Sequence, residues 1–333
     1  MTESAGDRDS HITTNCAAVG ALRPRRLGPM LRADQINCLG EPNINGPALI
    51  RAPSWARPKL GTYYLYFSQH RGRAIWLAVS DVLTGPWRIH PKPVLTLANT
   101  HYRDHIASPD VIADPGTGQV RMYFHGGNGT ELFEQTESVA ISDDGLTFRV
   151  SRLDIGIPYW RVFGHAGHWY ALVMPGTIVR SDDGVSGFEP VASVLPPLTR
   201  HSAVTVFGNR ALVFYSMIGG RPESILAGWL DLAADISQWR LAGLQTVLAP
   251  AEPYEGGHLP LVASAPGQCH DPARELRDPA AYLEGNTLYL AYAAGGERCL
   301  ALAAMDVPGE GALTAARKGK DRWQSRVTKI GLM

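Results

Sequence analysis

The stretch Leu276-Arg277-Asp278-Pro279-Ala280-Ala281-Tyr282-Leu283-Glu284-Gly285-Asn286-Thr287-Leu288-Tyr289-Leu290-Ala291-Tyr292 reads as strand, tight turn, strand. Gly285 and Asn286 both tolerate positive φ, so the pair between two apolar and aromatic runs marks a hairpin. Gly295-Gly296 then turns the chain into a third run, Cys299 to Ala304.

Four more units of this kind precede it. The first has Gly46 to Ile50, Tyr63 to Phe67 and Ala74 to Val79. The second has Ser108 to Ile112, Val120 to Phe124 and Ser138 to Ile141. The third has Trp160 to Phe163, Trp169 to Val173 and Thr177 to Arg180. The fourth has Ala203 to Phe207, Ala211 to Tyr215 and Ile225 to Leu230. An aspartate closes each third run: Asp81, Asp143, Asp182, Asp231 and Asp306. These recur whatever their context, so their expected role is to start a turn. In the first four units an aromatic follows (Trp87, Phe148, Phe188, Trp239) and is expected to open an outer fourth strand.

The intervals between these aspartates bracket the period of roughly 40–50 residues typical of four-stranded blades, with excess length in loops. The expectation is an all-β, single-domain, five-bladed β-propeller over residues 25–310. Blade five lacks its own fourth strand. Arg26 to Leu31 echoes Arg88 to Leu95 and is expected to supply it, closing the ring and removing a sheet edge. Residues 1–24 read as a disordered tail, and 311–333 as an extension packed on the propeller or partly disordered.

The chain has 333 residues with 31 basic and 31 acidic side chains, which gives no reason to expect nucleic acid or an anionic membrane as partner. Cys16, Cys38, Cys269 and Cys299 form no C-x-x-C pair and read as reduced. No secretory signal or membrane-spanning run is visible, which points to a cytoplasmic protein. Its oligomeric state is left open.

In such blades the first strand lines the channel, running away from the functional face. First-strand starts and second-to-third loops then share that face. His105, His125 and His201 fall on it, and His258 lies in the insertion before blade five. His165 and His168 flank a hairpin on the other face and read as turn residues. Asp110 and Asp278 stand beside prolines at first-strand starts, Glu223 on a second-to-third loop, and Glu252, Glu255 and Glu275 in the insertion.

Ser108-Pro109-Asp110-Val111-Ile112 and Arg277-Asp278-Pro279 resemble motifs of the five-bladed glycosidases, glycoside hydrolase families 43 and 32. The resemblance covers about residues 26 to 307. It implies a glycoside hydrolase-like enzyme acting on a small or terminal saccharide in the central channel. Its first departure is Asn45-Gly46-Pro47, with glycine where those families open blade one on Asp-Pro. Gly46 is expected to face the channel and to accept an aspartate. The second departure is Tyr159-Trp160-Arg161 in blade three, where a catalytic glutamate is expected.

Two carboxyl groups are needed for glycoside hydrolysis. The candidates are Asp110 and Asp278 with Glu255 or Glu223. Asp278 is expected to stay ionised beside Arg277, and Glu255, in a loop able to fold over the mouth, is the first choice for the acid. Asn45, His105, His125, Tyr159, Trp160, Arg161, His201, His258 and Arg277 are expected to bind substrate. Tyr102, Tyr159, Trp160 and Tyr254 suit stacking on sugar faces, and Arg161 and Arg277 suit a carboxylated or sulfated sugar. No cofactor is required and no residues are assigned to a metal, with a channel Ca2+ left open. Two alternatives stay open: a catalytically inactive saccharide-binding propeller, and a His-assisted elimination or isomerisation.

Overall fold

A computed structural model of the chain describes residues 21–36, 42–129 and 134–306. Among these, five antiparallel sheets follow one another around a central channel. Blade one holds β2 (Asn45–Arg51), β3 (Tyr63–Ser68), β4 (Ala74–Ser80) and the short outer β5 (Arg88–Ile89), with β6 (Leu95–Thr96) also on β4. Blade two holds β7 (His105–Asp114), β8 (Gln119–Gly127), β9 (Gln135–Ser142) and β10 (Arg149–Gly156). Blade three holds β11 (Arg161–His165), β12 (His168–Val173), β13 (Thr177–Ser181) and β14 (Glu189–Ser193). Blade four holds β15 (Thr199–Phe207), β16 (Arg210–Met217), β17 (Ile225–Asp231) and β18 (Leu241–Leu248). Blade five holds β19 (Leu276–Glu284), β20 (Thr287–Ala294) and β21 (Cys299–Asp306), and its outer strand is β1 (Arg25–Arg32). The five-bladed ring closed by the N-terminal strand is as the sequence implies.

Apolar clusters between neighbouring blades hold the ring. Tyr64, Leu77 and Phe124 join blades one and two. Tyr123, Trp160 and Val173 join two and three. Leu172, Tyr215 and Trp239 join three and four. Phe214, Leu290 and Tyr292 join four and five. Leu65, Leu300 and Leu31 of β1 join five and one. Each blade is thus covered on both faces, which explains why Leu288 to Tyr292 is a continuous apolar run rather than an alternating one. Each such side chain contributes about 1.5–3 kcal/mol on burial.

The outer strands follow the aromatics that mark them, but the turns before them are held by different residues than expected. In blades two and three the Ser142 and Ser181 hydroxyls accept the Gly145 and Gly184 N–H groups, and Asp144 and Asp183 accept the N–H groups beyond. The working carboxylate is one residue after the expected Asp143 and Asp182. The disordered tail expected over residues 1–24 does not hold for Leu22. Leu22 is buried between blades four and five, and its N–H bonds the Gln245 side chain at 2.9 Å. Residues 1–20 and the extension at 311–333 lie outside the described residues, as do Cys16 and Cys38. Cys269 and Cys299 are free thiols. No helix among the described residues is long and apolar enough to cross a membrane.

Candidate active site

Three of the five channel strands begin with the same device. Gly46, Ser108 and Asp278 each precede a proline and have φ of +54°, +48° and +49°. The ladder to the second strand slips there, between Asn45 and Ala48, Ala107 and Asp110, and Arg277 and Ala280. Proline lacks the N–H the ladder needs, so a bulge forms and re-aims the side chain before it. A left-handed backbone is easy for glycine and strained for serine and aspartate, which is common at functional sites. The three bulges pack together. The Gly46 N–H points at the Asp278 carboxylate at 3.4 Å, and a Cβ on Gly46 would lie 2.6 Å from the Ser108 Cα. Gly46 is therefore no vacant carboxylate position, because the backbone of blade two fills the space an aspartate would need.

Asp278 is 1% exposed and pairs through Oδ1 with Nδ1 of His201. From there a row of rings crosses the mouth. Tyr159 lies 4.3 Å from His201 and 4.2 Å from His125, whose ring is 5.5 Å from His105. Asp104 holds Nδ1 of His105 at 2.7 Å. The three histidines expected to converge do so, whereas His258 stays exposed on the insertion. Asn45 is buried, and its side chain braces His70 and Ser68. Tyr159 is packed against two tilted imidazoles rather than presented as an open platform for a sugar. Trp160 is 1% exposed, stacked on Tyr123 and edge-on to Phe188, and belongs to the core instead. Tyr102 is buried and bonded to Thr136 and Ser138. Tyr254 packs against the cluster between blades four and five.

The carboxyl groups fall into three kinds. Burial alone would raise Asp278, but His201, Arg277 and Arg200 outweigh it and hold this carboxyl well below the usual range. Glu137 is the opposite case. It is wholly buried, and burial pushes it well above the usual range despite the Arg161 charge and the N–H of Tyr159, which it accepts at 3.0 Å. Burial likewise raises Asp110, against Arg161 and the Val162 N–H at 2.7 Å. The remainder are locked in ion pairs. Glu223 accepts Arg200 at 2.9 and 3.1 Å, and Glu275 accepts Arg277 at 2.8 Å. Glu297 meets Arg277 at 3.3 Å and His70 at 2.9 Å.

Glu255 does not fold over the mouth. It accepts Arg26 at 2.8 and 3.0 Å, Tyr292 at 2.8 Å, and the N–H groups of Ala251 and Glu252 at 2.8 and 3.1 Å. With both oxygens so engaged it braces the insertion against β1 and β20. Neither Glu223 nor Glu255 has an oxygen free for a proton-transfer role, and Arg277 is equally occupied. Glu137 was missed in the sequence. Its one signal is register, since it stands directly across the ladder from His125.

The insertion between β18 and β19 lies over the arginines of blades four and five. Arg200 donates to the Ala265 carbonyl at 2.6 Å and Arg277 to the Gly267 carbonyl at 3.0 Å. Below the mouth the channel holds a cavity of about 60 Å³ walled by small alkyl side chains such as Ala48, Ala203 and Ala280, with Asp110 and Arg161 as its polar side chains. That is room for about two waters, too little for a sugar ring. No group of three or more His, Cys, Asp or Glu among the described residues is placed to hold a metal ion.

No family model matches the chain. An uncharacterized protein of Acanthamoeba polyphaga mimivirus is 30% identical over 293 residues, spanning 78% of this chain and 82% of that protein. Among solved structures, a glycosyl hydrolase from Bacteroides ovatus matches at TM-score 0.60 and 10% identity, over 87% of this chain and 97% of its own. A family 43 β-xylosidase/α-arabinofuranosidase from a compost microbial metagenome matches at 0.57 and 12%, over 86% and 95%. A family 43 enzyme from Xanthomonas citri matches at 0.58 and 12%, over 84% and 90%. At such identities the likeness is one of fold: the neighbours are five-bladed glycoside hydrolase propellers, and this chain has diverged far from them.

Proposed function

The chain belongs to one family with the mimivirus protein, and on that premise, with the fold it shares with glycoside hydrolases, we propose that it is itself a glycoside hydrolase acting on a terminal sugar. The observation that carries this reading is the contrast between two buried carboxyl groups near Tyr159, Asp278 paired with His201 and Glu137 accepting the Tyr159 N–H with no ion-pair partner among the described residues. Asp278 is held ionised and Glu137 is pushed toward its protonated form. Environments that drive two carboxyls apart are the mark of an acid and its charged partner. In this reading Glu137 gives its proton to the leaving oxygen. Asp278, fixed by His201, supplies the negative charge that steadies the oxocarbenium-like centre or activates water. The cavity beneath excludes a ring, so the saccharide enters by its end.

The test is hydrolysis of a panel of aryl glycosides by the wild type, Asp278→Asn and Glu137→Gln. Each substitution is expected to lower kcat by about 10²–10⁴ while the protein stays folded. The pH profile gives the sign. Asp278, depressed, stays charged well into acid, so the acid limb lies below the ordinary carboxylate range. Glu137, raised, keeps its proton beyond the ordinary glutamate value, and activity falls as pH rises through its elevated pKa. Wild type that hydrolyses nothing in the panel, yet is thermally stabilised by a saccharide, would establish the second reading, a binding propeller without turnover. The locking of Glu223, Glu275 and Glu297 in ion pairs favours that reading.

A further inference from the structure

The imidazoles of His105, His125 and His201 stand at the mouth, and what each Nδ1 meets tells them apart. Nδ1 of His125 is buried without a partner. Nδ1 of His105 meets Asp104, whose side chain is 33% exposed. Nδ1 of His201 meets Asp278, which is 1% exposed. An ionised carboxylate can only accept. The Asp278 contact therefore places the hydrogen of a neutral His201 ring on Nδ1 and leaves a lone pair on Nε2. Nε2 has no hydrogen-bond partner among the described residues, yet it is not one of the buried atoms left unpartnered. It is therefore part of the 6% of the side chain still open to solvent.

The groups around the ring hold it in that state. Asp278 and Tyr159, on either side of His201, both take left-handed backbone, at φ of +49° and +67°. Such strain in residues other than glycine persists only where the surroundings enforce it. The Tyr159 ring lies 4.3 Å from the imidazole at 45°, so the ring is gripped by a carboxylate at its edge and a phenol beside it. Burial, aided by Arg161 and Arg200, outweighs the pull of Asp278 and lowers His201 from the usual imidazole range. Tyr159 and His125 beyond it are the other titratable groups on this side. Burial raises the first and lowers the second, so both are neutral at neutral pH.

We infer that His201 is a hydrogen-bond acceptor of fixed tautomer, whose Nε2 takes the hydrogen of one hydroxyl of the bound sugar. This rests on the saccharide reading above and adds a demand on the ligand: the hydroxyl at that place must donate. An ether, a fluorine or a bare methylene there leaves the lone pair without a partner.

Calorimetric binding at neutral pH tests it with D-glucose, D-galactose, D-xylose and L-arabinose, and with the monodeoxyfluoro forms of each sugar that binds. Fluorine stands in for a hydroxyl in size but cannot donate. One position is expected to lose about tenfold in affinity on fluorination. In Asp278→Asn the side-chain amide donates to Nδ1, the ring hydrogen moves to Nε2, and the loss at that position is expected to disappear. Lowering the pH of wild type through the His201 pKa is expected to do the same, because protonation also puts a hydrogen on Nε2. Where Asp278→Asn does not fold, that titration decides alone. A loss that persists unchanged in the variant and in acid, or no position sensitive to fluorine, overturns the inference and leaves the saccharide reading standing. Binding of no sugar at all removes both.

Discussion

Gly46, Ser108 and Asp278 occupy equivalent places in three blades, but they are not interchangeable. Gly46 sits where the other two bulges converge, with positive φ and 2.6 Å from a would-be Cβ to the Ser108 Cα. Gly46→Asp therefore meets both backbone strain and a clash with main chain. A loss of about 2–4 kcal/mol is expected, read as a lower urea midpoint at unchanged m-value. A variant as stable as wild type would show that the three bulges can separate. At this scale some residues were legible and others were not. Asp278 was visible because Pro279 and the strand pattern announce its bulge. Glu137 was not, because what makes it unusual is the Tyr159 N–H from the next blade and its complete burial. Trp160 and Tyr159 were misread together: adjacent in the chain, one enters the core and the other packs against His125 and His201. Such pairings are set by neighbouring blades and leave no local mark.

At the scale of elements, hairpins were legible because glycine and asparagine at fixed places favour tight turns, and the outer strands of the first four blades because an aromatic precedes each. The insertion before β19 was not legible. It has no periodicity, and its course is fixed by arginines far away in sequence. Glu255 shows the consequence. It seemed free to reach the mouth, yet it ties the insertion to Arg26 on β1 and Tyr292 on β20. Glu255→Gln is expected to cost about 2–3 kcal/mol, the lower range for breaking a buried pair because Arg26 is partly solvated. Arg26 and backbone N–H groups outweigh burial and depress the folded Glu255 pKa. Its contribution is thus full above the unfolded glutamate value and is lost as pH falls through the folded one. Wild type and variant should differ in urea denaturation at pH 7 and converge in acid. Unchanged stability with lost turnover would return Glu255 to the list of catalytic groups.

For the whole molecule, the ring is held by five interblade clusters and by one strand that reaches across from the other end of the chain. β1 pairs with β21 from Arg25 opposite Ala304 to Arg32 opposite Cys299. Of the propeller strands among the described residues, the first to be synthesised is therefore the last to find its partner. At roughly 5–20 residues per second it waits some 15–60 s for blade five to be made, and the loop closed by the pairing is nearly the whole domain. During that interval Arg25, Arg26 and Arg32 are open to trypsin. Nascent chains stalled with β19 to β21 still inside the exit tunnel should be cut at these arginines, and chains stalled after Asp306 has emerged should resist. Equal resistance at both lengths would mean that β1 finds shelter elsewhere while it waits. The protein's vulnerability is then a matter of timing: a cell making it slowly, or losing synthesis partway, is left with four finished blades and an unguarded first strand.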